Sequence, residues 1–150
     1  MSATATDELE IVLLHPAAQA PARTRPGDAA YDLRAVERFV LEAGGRALVP
    51  TGVAIALPPG VAGLVLPRSG LAVQHGITAL NAPGLIDPNY RGEIRVILHN
   101  AGDEPFEAEA GDRIAQLLLV PFLAPTLAVV DELPASGDDR GVNGFGSSGR

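Results

Sequence analysis

The chain has no cysteine, and all 11 of its basic residues are arginine. Without cysteine there is no disulfide, no thiolate nucleophile and no zinc–cysteine site. With no lysine and a net charge of −7, it is poorly suited to a nucleic-acid backbone. A locally basic site can still hold a small anion, because a guanidinium binds phosphate through two parallel hydrogen bonds. No apolar run approaches membrane-spanning length. Residues Met1 to Glu8 place no basic segment ahead of an apolar one, which argues against a secretory signal. These absences make the cytoplasm the expected compartment.

What is present is punctuation. The 17 glycines and 13 prolines leave mostly short uninterrupted segments, the pattern of many short strands joined by tight turns. At 150 residues and 47% hydrophobic content, the chain suits one domain with a real core. Strands are expected at Ile11 to Leu14 and Ala29 to Ala35, with residues 16–28 as a surface connection. Ala47 to Leu57 and Val61 to Leu66 read as a buried hairpin. Ser69 is placed as the N-cap of one short helix, with His75 late in it as a partner for the helix dipole. Beyond Ile77 to Ala82, a hairpin is expected over 84–94, its second strand running Glu93 to Leu98 into a turn at His99 to Gly102. Phe106 to Ala110, Gly111 to Pro121 (a turn and a central strand) and Leu127 to Val130 complete the expected strands.

Five stretches carry candidate chemistry. Asp87-Pro88-Asn89 is a strong turn signal followed by Tyr90, so one carboxylate and one ring share a bend. That Asp either satisfies backbone amides or serves as a general base. Asp32 and Arg34 alternate with Tyr31 and Leu33 and share a strand face. They form either a solvated ion pair or, at Asp32, a ligand to a hard metal held through water. Arg68, Ser69 and Gly70 open the expected helix, where an Arg and a hydroxyl beside free amides suit phosphate. Gln116 is the one polar residue in an apolar run, so its amide either bridges backbone groups or reaches a ligand. The tail, Pro134 to Arg150, is Gly/Ser-rich and reads as flexible, yet it holds a single Phe145 among glycines, with Arg140 ahead and Ser147 and Ser148 behind.

Ala29–Ala35, Pro67–Ala72, Asn81–Ile94, Gly111–Leu118 and Arg140–Gly149 together resemble, in order, the five motifs of the trimeric dUTPases. The resemblance implies an all-β subunit, a jelly-roll-like barrel or sandwich with one short helix. Residues 1–133 would form the barrel and 134–150 a flexible arm closing over a neighbouring active site of a homotrimer. It implies hydrolysis of dUTP to dUMP and pyrophosphate, limiting uracil in DNA and supplying dUMP for thymidylate synthesis. Asp87 would activate the attacking water, and Asp32 would hold Mg²⁺ through its waters. Arg68, Ser69, Gly70 and Gln116 would bind phosphates, joined from the arm by Arg140, Ser147 and Ser148, and Gly146 of the arm would also bind substrate. The hairpin residues Asn81, Gly84 and Ile86 would read uracil, Tyr90 would lie under the deoxyribose, and Phe145 would stack on the base. The sequence departs from the family where Ala30 and Asn143 replace frequent glycines. A dCTP deaminase or bifunctional deaminase-hydrolase of the same superfamily, and a non-catalytic nucleotide-binding trimer, are the alternative readings.

Overall fold

The structure, a computed structural model, describes residues 8–146 and 149. Ten strands and one helix follow in chain order: β1 (Glu10–Leu13), β2 (Tyr31–Arg34), β3 (Phe39–Leu41), β4 (Arg46–Ala56), β5 (Val61–Leu66), α1 (Ser69–His75), β6 (Ile77–Ala79), β7 (Gly84–Ile86), β8 (Ile94–Asn100), β9 (Phe106–Ala108) and β10 (Arg113–Pro121). They form two four-stranded sheets, ordered β1-β4-β8-β6 and β2-β10-β5-β7, and a two-stranded ribbon, β3-β9. All pairings are antiparallel. This is the expected all-β, jelly-roll-like subunit with one short helix.

The core lies between the sheets because strands alternate. Ile94, Val96 and Leu98 of β8 are buried while Arg95 between them is exposed, the period of two that a half-buried strand requires. Facing them from the other sheet are Leu33, Val65, Ile86, Ala115 and Leu117, with Leu41, Phe106 and Ala108 from the ribbon. Asn100, fully buried, ties the ribbon's end to this core. Its amide nitrogen donates to the carbonyls of Leu41 (2.9 Å) and Glu104 (2.8 Å), and its Oδ1 accepts from Gly102 N–H (2.9 Å). Outside, Arg38 clasps the ribbon's acidic strand and holds its proton more tightly than a free arginine. Its hydrogen bond to Glu107 is the main cause, and the charges of Glu107 and Glu109 add to it.

Several sequence expectations are corrected here. β4 and β5 do not pair with one another: β4 lies between β1 and β8, and β5 between β10 and β7. The 84–94 stretch is likewise no two-stranded hairpin, because β7 pairs with β5 and β8 with β4 and β6. The Pro58–Gly60 and Asp87–Gly92 segments carry the chain between sheets, so each flanking strand finds its partner far away in sequence. β8 runs on through His99 and Asn100, since both pair with β6 where a turn was expected. The helix N-cap is Arg68, without a side-chain cap bond, and Ser69 is the first helical residue. His75 does lie in the last turn, and Gly76, at φ 69°, ends the helix in a left-handed conformation that favours glycine. Leu127 to Val130 form no strand. Leu127 and Val129 are almost wholly exposed, and no described residue pairs with them.

β4 carries one irregularity that bears on the site. Its register with β8 jumps between Pro50 and Val53, leaving Thr51 and Gly52 as a bulge. Gly52 sits at φ 67°, and a Cβ there would meet Ala18 (2.8 Å) and Val36 (2.9 Å). Only glycine fits both the angle and the space.

Candidate active site

The expected site residues that precede the tail fall into two clefts of one chain that share no lining residue. Val65 of β5 lines the first and its neighbour Leu66 the second, on opposite faces of the strand.

The first cleft, about 370 Å³, is framed by the connection from β7 to β8. Asn81, Gly84, Ile86, Asp87 and Tyr90 all line it. The bend is a β-turn with Pro88 at its second position, closed by the Tyr90 N–H donating to the Asp87 carbonyl at 3.1 Å. Asp87 is exposed and lines the cleft, and its carboxylate has no hydrogen-bond partner among the described residues. Arg91 straps the turn from behind through Nη1, which donates to the carbonyls of Pro88 (2.6 Å) and Tyr90 (3.0 Å). The Tyr90 ring lies over Gly92, where any Cβ would overlap the phenol, and its hydroxyl donates to the Glu93 carbonyl at 2.9 Å. At the cleft's back wall, a Cβ on Gly84 would press on Val65 at 3.3 Å, so glycine lets β7 lie close on β5.

The second cleft, about 640 Å³, gathers Asp32, Arg68, Ser69, Gly70 and Gln116. Sheet register brings them together. Gln116 of β10 stands opposite Asp32 on one side and Leu66 on the other. Its Nε2 donates to the Pro67 carbonyl at 3.0 Å, the backbone bridge that its lone polar character allowed. Asp32 is only 15% exposed at its side chain and lies between two guanidiniums, Arg68 Nε at 3.8 Å and Arg113 Nη1 at 3.5 Å. The expected Asp32–Arg34 pair is not formed, because Arg34 donates instead to the Gly111 carbonyl at 2.7 Å.

Two of Asp32's partners in this cleft, Thr24 and Arg113, were not anticipated. Thr24 Oγ1 donates to Asp32 Oδ2 at 2.9 Å, and Arg113 Nη1 donates to Thr24 Oγ1 at 3.2 Å. Thr24 sits in the 16–28 connection, which bridges to β2 where Asp32 N–H donates to the Ala22 carbonyl. No local pattern marks that contact. Arg113 was legible: it is the charged residue at the head of the central strand, within the fourth motif. Arg68 Nη1 in turn donates to the Arg113 carbonyl at 3.0 Å, so the two cations are held in one frame. Three guanidiniums, Arg25, Arg68 and Arg113, against two carboxylates, Asp28 and Asp32, leave the cleft's lining net cationic, in a chain that is acidic as a whole. Such a lining suits an anion.

Asp32 fits a hydrated divalent cation better than a bare one. Both its oxygens already have partners, and no group of three or more His, Asp or Glu able to hold a metal occurs among the described residues. Mg²⁺ keeps most of its water and relies on one or two carboxylates plus phosphates. The flanking guanidiniums disfavour a lone cation and favour one that arrives with a polyanion's charge.

The arm residues Arg140 and Phe145 are exposed and touch neither cleft, and Gly146 lies at φ 89°. Phe145 is the only described non-glycine residue at positive φ, at 51°, so Asn143 and Ala30, which replace frequent glycines, take no left-handed conformation. Ser147 and Ser148 lie outside the described residues. No described helix is long and apolar enough to cross a membrane.

The chain is similar to known proteins in sequence and in fold. Residues 17–149 match the dUTPase family. The chain is 50% identical over 145 residues to the deoxyuridine 5'-triphosphate nucleotidohydrolase of Leifsonia xyli, covering 96% of this chain and 93% of that one. It is 52% identical over 135 residues to the enzyme of the same name from an Anaeromyxobacter species, covering 90% of each. Among solved structures, a variant dUTPase of Staphylococcus bacteriophage 80alpha with dUpNHpp superposes at a TM-score of 0.87 and 31% identity, over 97% of this chain and all of that one. A variant dUTPase of the S. aureus phage phi11, described with a structural Mg(II) ion, superposes at 0.76 and 28% identity, over 84% of this chain and 98% of that one. With a family match across nearly its whole length and relatives at half identity, the chain belongs to the dUTPase family.

Proposed function

We propose that the protein hydrolyses dUTP to dUMP and pyrophosphate at sites shared between the chains of a homotrimer. The observation that carries this reading is the separation of the two clefts. On the single chain the exposed Asp87 and the cationic lining belong to separate clefts, which supports a site to which one chain brings the first cleft and a neighbour the second. Uncovered apolar surface supports the assembly: Ile11 to Leu14 of β1 and its extension, and Leu123, Leu127, Val129 and Leu133 beyond β10, are all exposed on the single chain.

In this reading the turn cleft takes the nucleoside. Backbone groups around Asn81, Gly84 and Ile86 meet the uracil edge, and the Tyr90 ring lies against the deoxyribose, where a 2'-hydroxyl has no room. Asp87 accepts a proton from a water as the water oxygen bonds to the α-phosphorus. The bond from that phosphorus to the bridging oxygen breaks, and pyrophosphate leaves. In-line attack needs positioning and charge neutralisation more than covalent help. A neighbour's Arg68, Ser69, Gly70 and Gln116 hold the phosphates, with Arg113 adding charge beside them. Asp32 would hold Mg²⁺ through its water shell, and the ion would share the charge of the phosphate oxygens.

Residues 134–150 serve as the arm, Phe145 stacking on the base and Arg140, Gly146, Ser147 and Ser148 closing over the phosphates. Residues 1–133 are the barrel. The test is pyrophosphate release from dUTP, dTTP, dCTP and UTP with Mg²⁺, with ammonia assayed in parallel. Release from dUTP alone supports the reading. Ammonia from dCTP would indicate a deaminase, and binding without cleavage a non-catalytic module.

A further inference from the structure

We infer that Glu93 is a positioning residue for the nucleoside cleft, fastening the Asp87–Tyr90 turn to the bulge in β4. This rests on the hydrolase reading above. Glu93 sits between the turn and β8, only 23% exposed at its side chain, and both ends of the residue are engaged. Its Oε1 accepts the Gly52 N–H at 2.9 Å, and its Oε2 lies 3.4 Å from Arg95 Nε. Its backbone carbonyl accepts the Tyr90 hydroxyl at 2.9 Å, and Tyr90 N–H closes the turn on Asp87.

The bulge is a fixed point. Gly52 is walled by Ala18, Val36 and His15, and its carbonyl accepts Leu14 N–H at 2.7 Å. Next to it, the buried Thr51 hydroxyl donates to the Ile94 carbonyl, pinning the start of β8. Gly52 is buried with the ladder broken around it, so its N–H needs an acceptor, and Glu93 reaches back to be one. A carboxylate that satisfies a bulge amide also fixes the height of its own backbone carbonyl, and so of the Tyr90 ring. The position of Asp87 follows through the turn. The bulge, far from the chemistry in sequence, sets where the sugar-facing ring stands.

The inference predicts a specific loss of sugar discrimination. For Glu93→Ala, the ratio of kcat/KM for dUTP over UTP falls by about tenfold or more, with KM for dUTP rising as the ring moves. Glu93→Gln keeps an acceptor for Gly52 N–H and retains the ratio within about threefold of wild type. Tyr90→Phe removes the other end of the tether. In the Tyr90→Phe, Glu93→Ala double variant the ratio falls no further than in the worse single variant, since the two act through one linkage. If Glu93→Ala does not fold, Glu93→Asp, too short to reach Gly52, takes its place in the same cycle. A lowered Tm with an unchanged dUTP/UTP ratio, or additive losses in the double variant, overturns the inference. Failure of the wild-type chain to cleave dUTP would overturn the hydrolase reading instead.

Discussion

Gln116 Nε2 donates to the Pro67 carbonyl at 3.0 Å, fastening the middle of β10 to the loop that presents Arg68 and Ser69. A neutral amide can hold that carbonyl and leave its Oε1 for a second donor, and an acid cannot donate at neutral pH. Gln116→Glu therefore places a like charge in the anion cleft and frees the loop. We expect kcat/KM for dUTP to drop by about a hundredfold, twice the logarithmic loss of Gln116→Ala, in steady-state assays. Equal effects of the two substitutions would argue that Gln116 only packs.

Asp32 is the one carboxylate between two guanidiniums, so its charge matters more than its shape. Asp32→Asn keeps the Thr24 contact and removes the charge. The Mg²⁺ concentration for half-maximal dUTP hydrolysis should rise by about tenfold, read from a metal titration at fixed nucleotide. An unchanged titration would separate Asp32 from the metal.

Gly92 has no room for a side chain because the Tyr90 ring covers it. Gly92→Ala pushes the ring off its seat without touching the phosphate cleft. KM for dUTP should rise by about tenfold with little change in inhibition by inorganic pyrophosphate. Parallel loss of both would mean that the turn, not the ring, had collapsed.

Asn100 serves three backbone groups from a fully buried position. Asn100→Leu leaves them unpaired at similar volume. Denaturant unfolding should show a loss of roughly 2–4 kcal/mol, more than the ~1 kcal/mol typical of point substitutions.

Strand positions were legible because glycine and proline mark their ends and alternation marks their faces, as in Ile94 to Leu98. Pairing was not, because a Pro-Pro-Gly bend reads the same whether it folds two strands together or sends them to opposite sheets. β4 and β5 are that case. The segment Leu127 to Val130 has a strand's composition, but composition does not supply the neighbouring backbone that a strand requires. Asp87, Tyr90, Arg68 and Gln116 stood out since each breaks its surroundings: a carboxylate at a turn, a ring beside it, a cation at a helix start, an amide among leucines. Thr24 did not, since its contact with Asp32 spans a loop whose path only the folded chain reveals. The bond from Glu93 to Gly52 was hidden for the same reason, as it depends on a break in register.

Mixing two inactive variants shows whether one chain's Asp87 acts on phosphates held by another chain's Arg68. Asp87→Asn and Arg68→Ala are unfolded together at equal amounts, refolded, and assayed for pyrophosphate release from dUTP. Random assembly of shared sites leaves about a quarter of them with an intact Asp87 and a neighbour's intact Arg68, so activity should return to about a quarter of wild type. If the mixture shows no more activity than the two variants refolded separately, each site lies within one chain and the account is wrong.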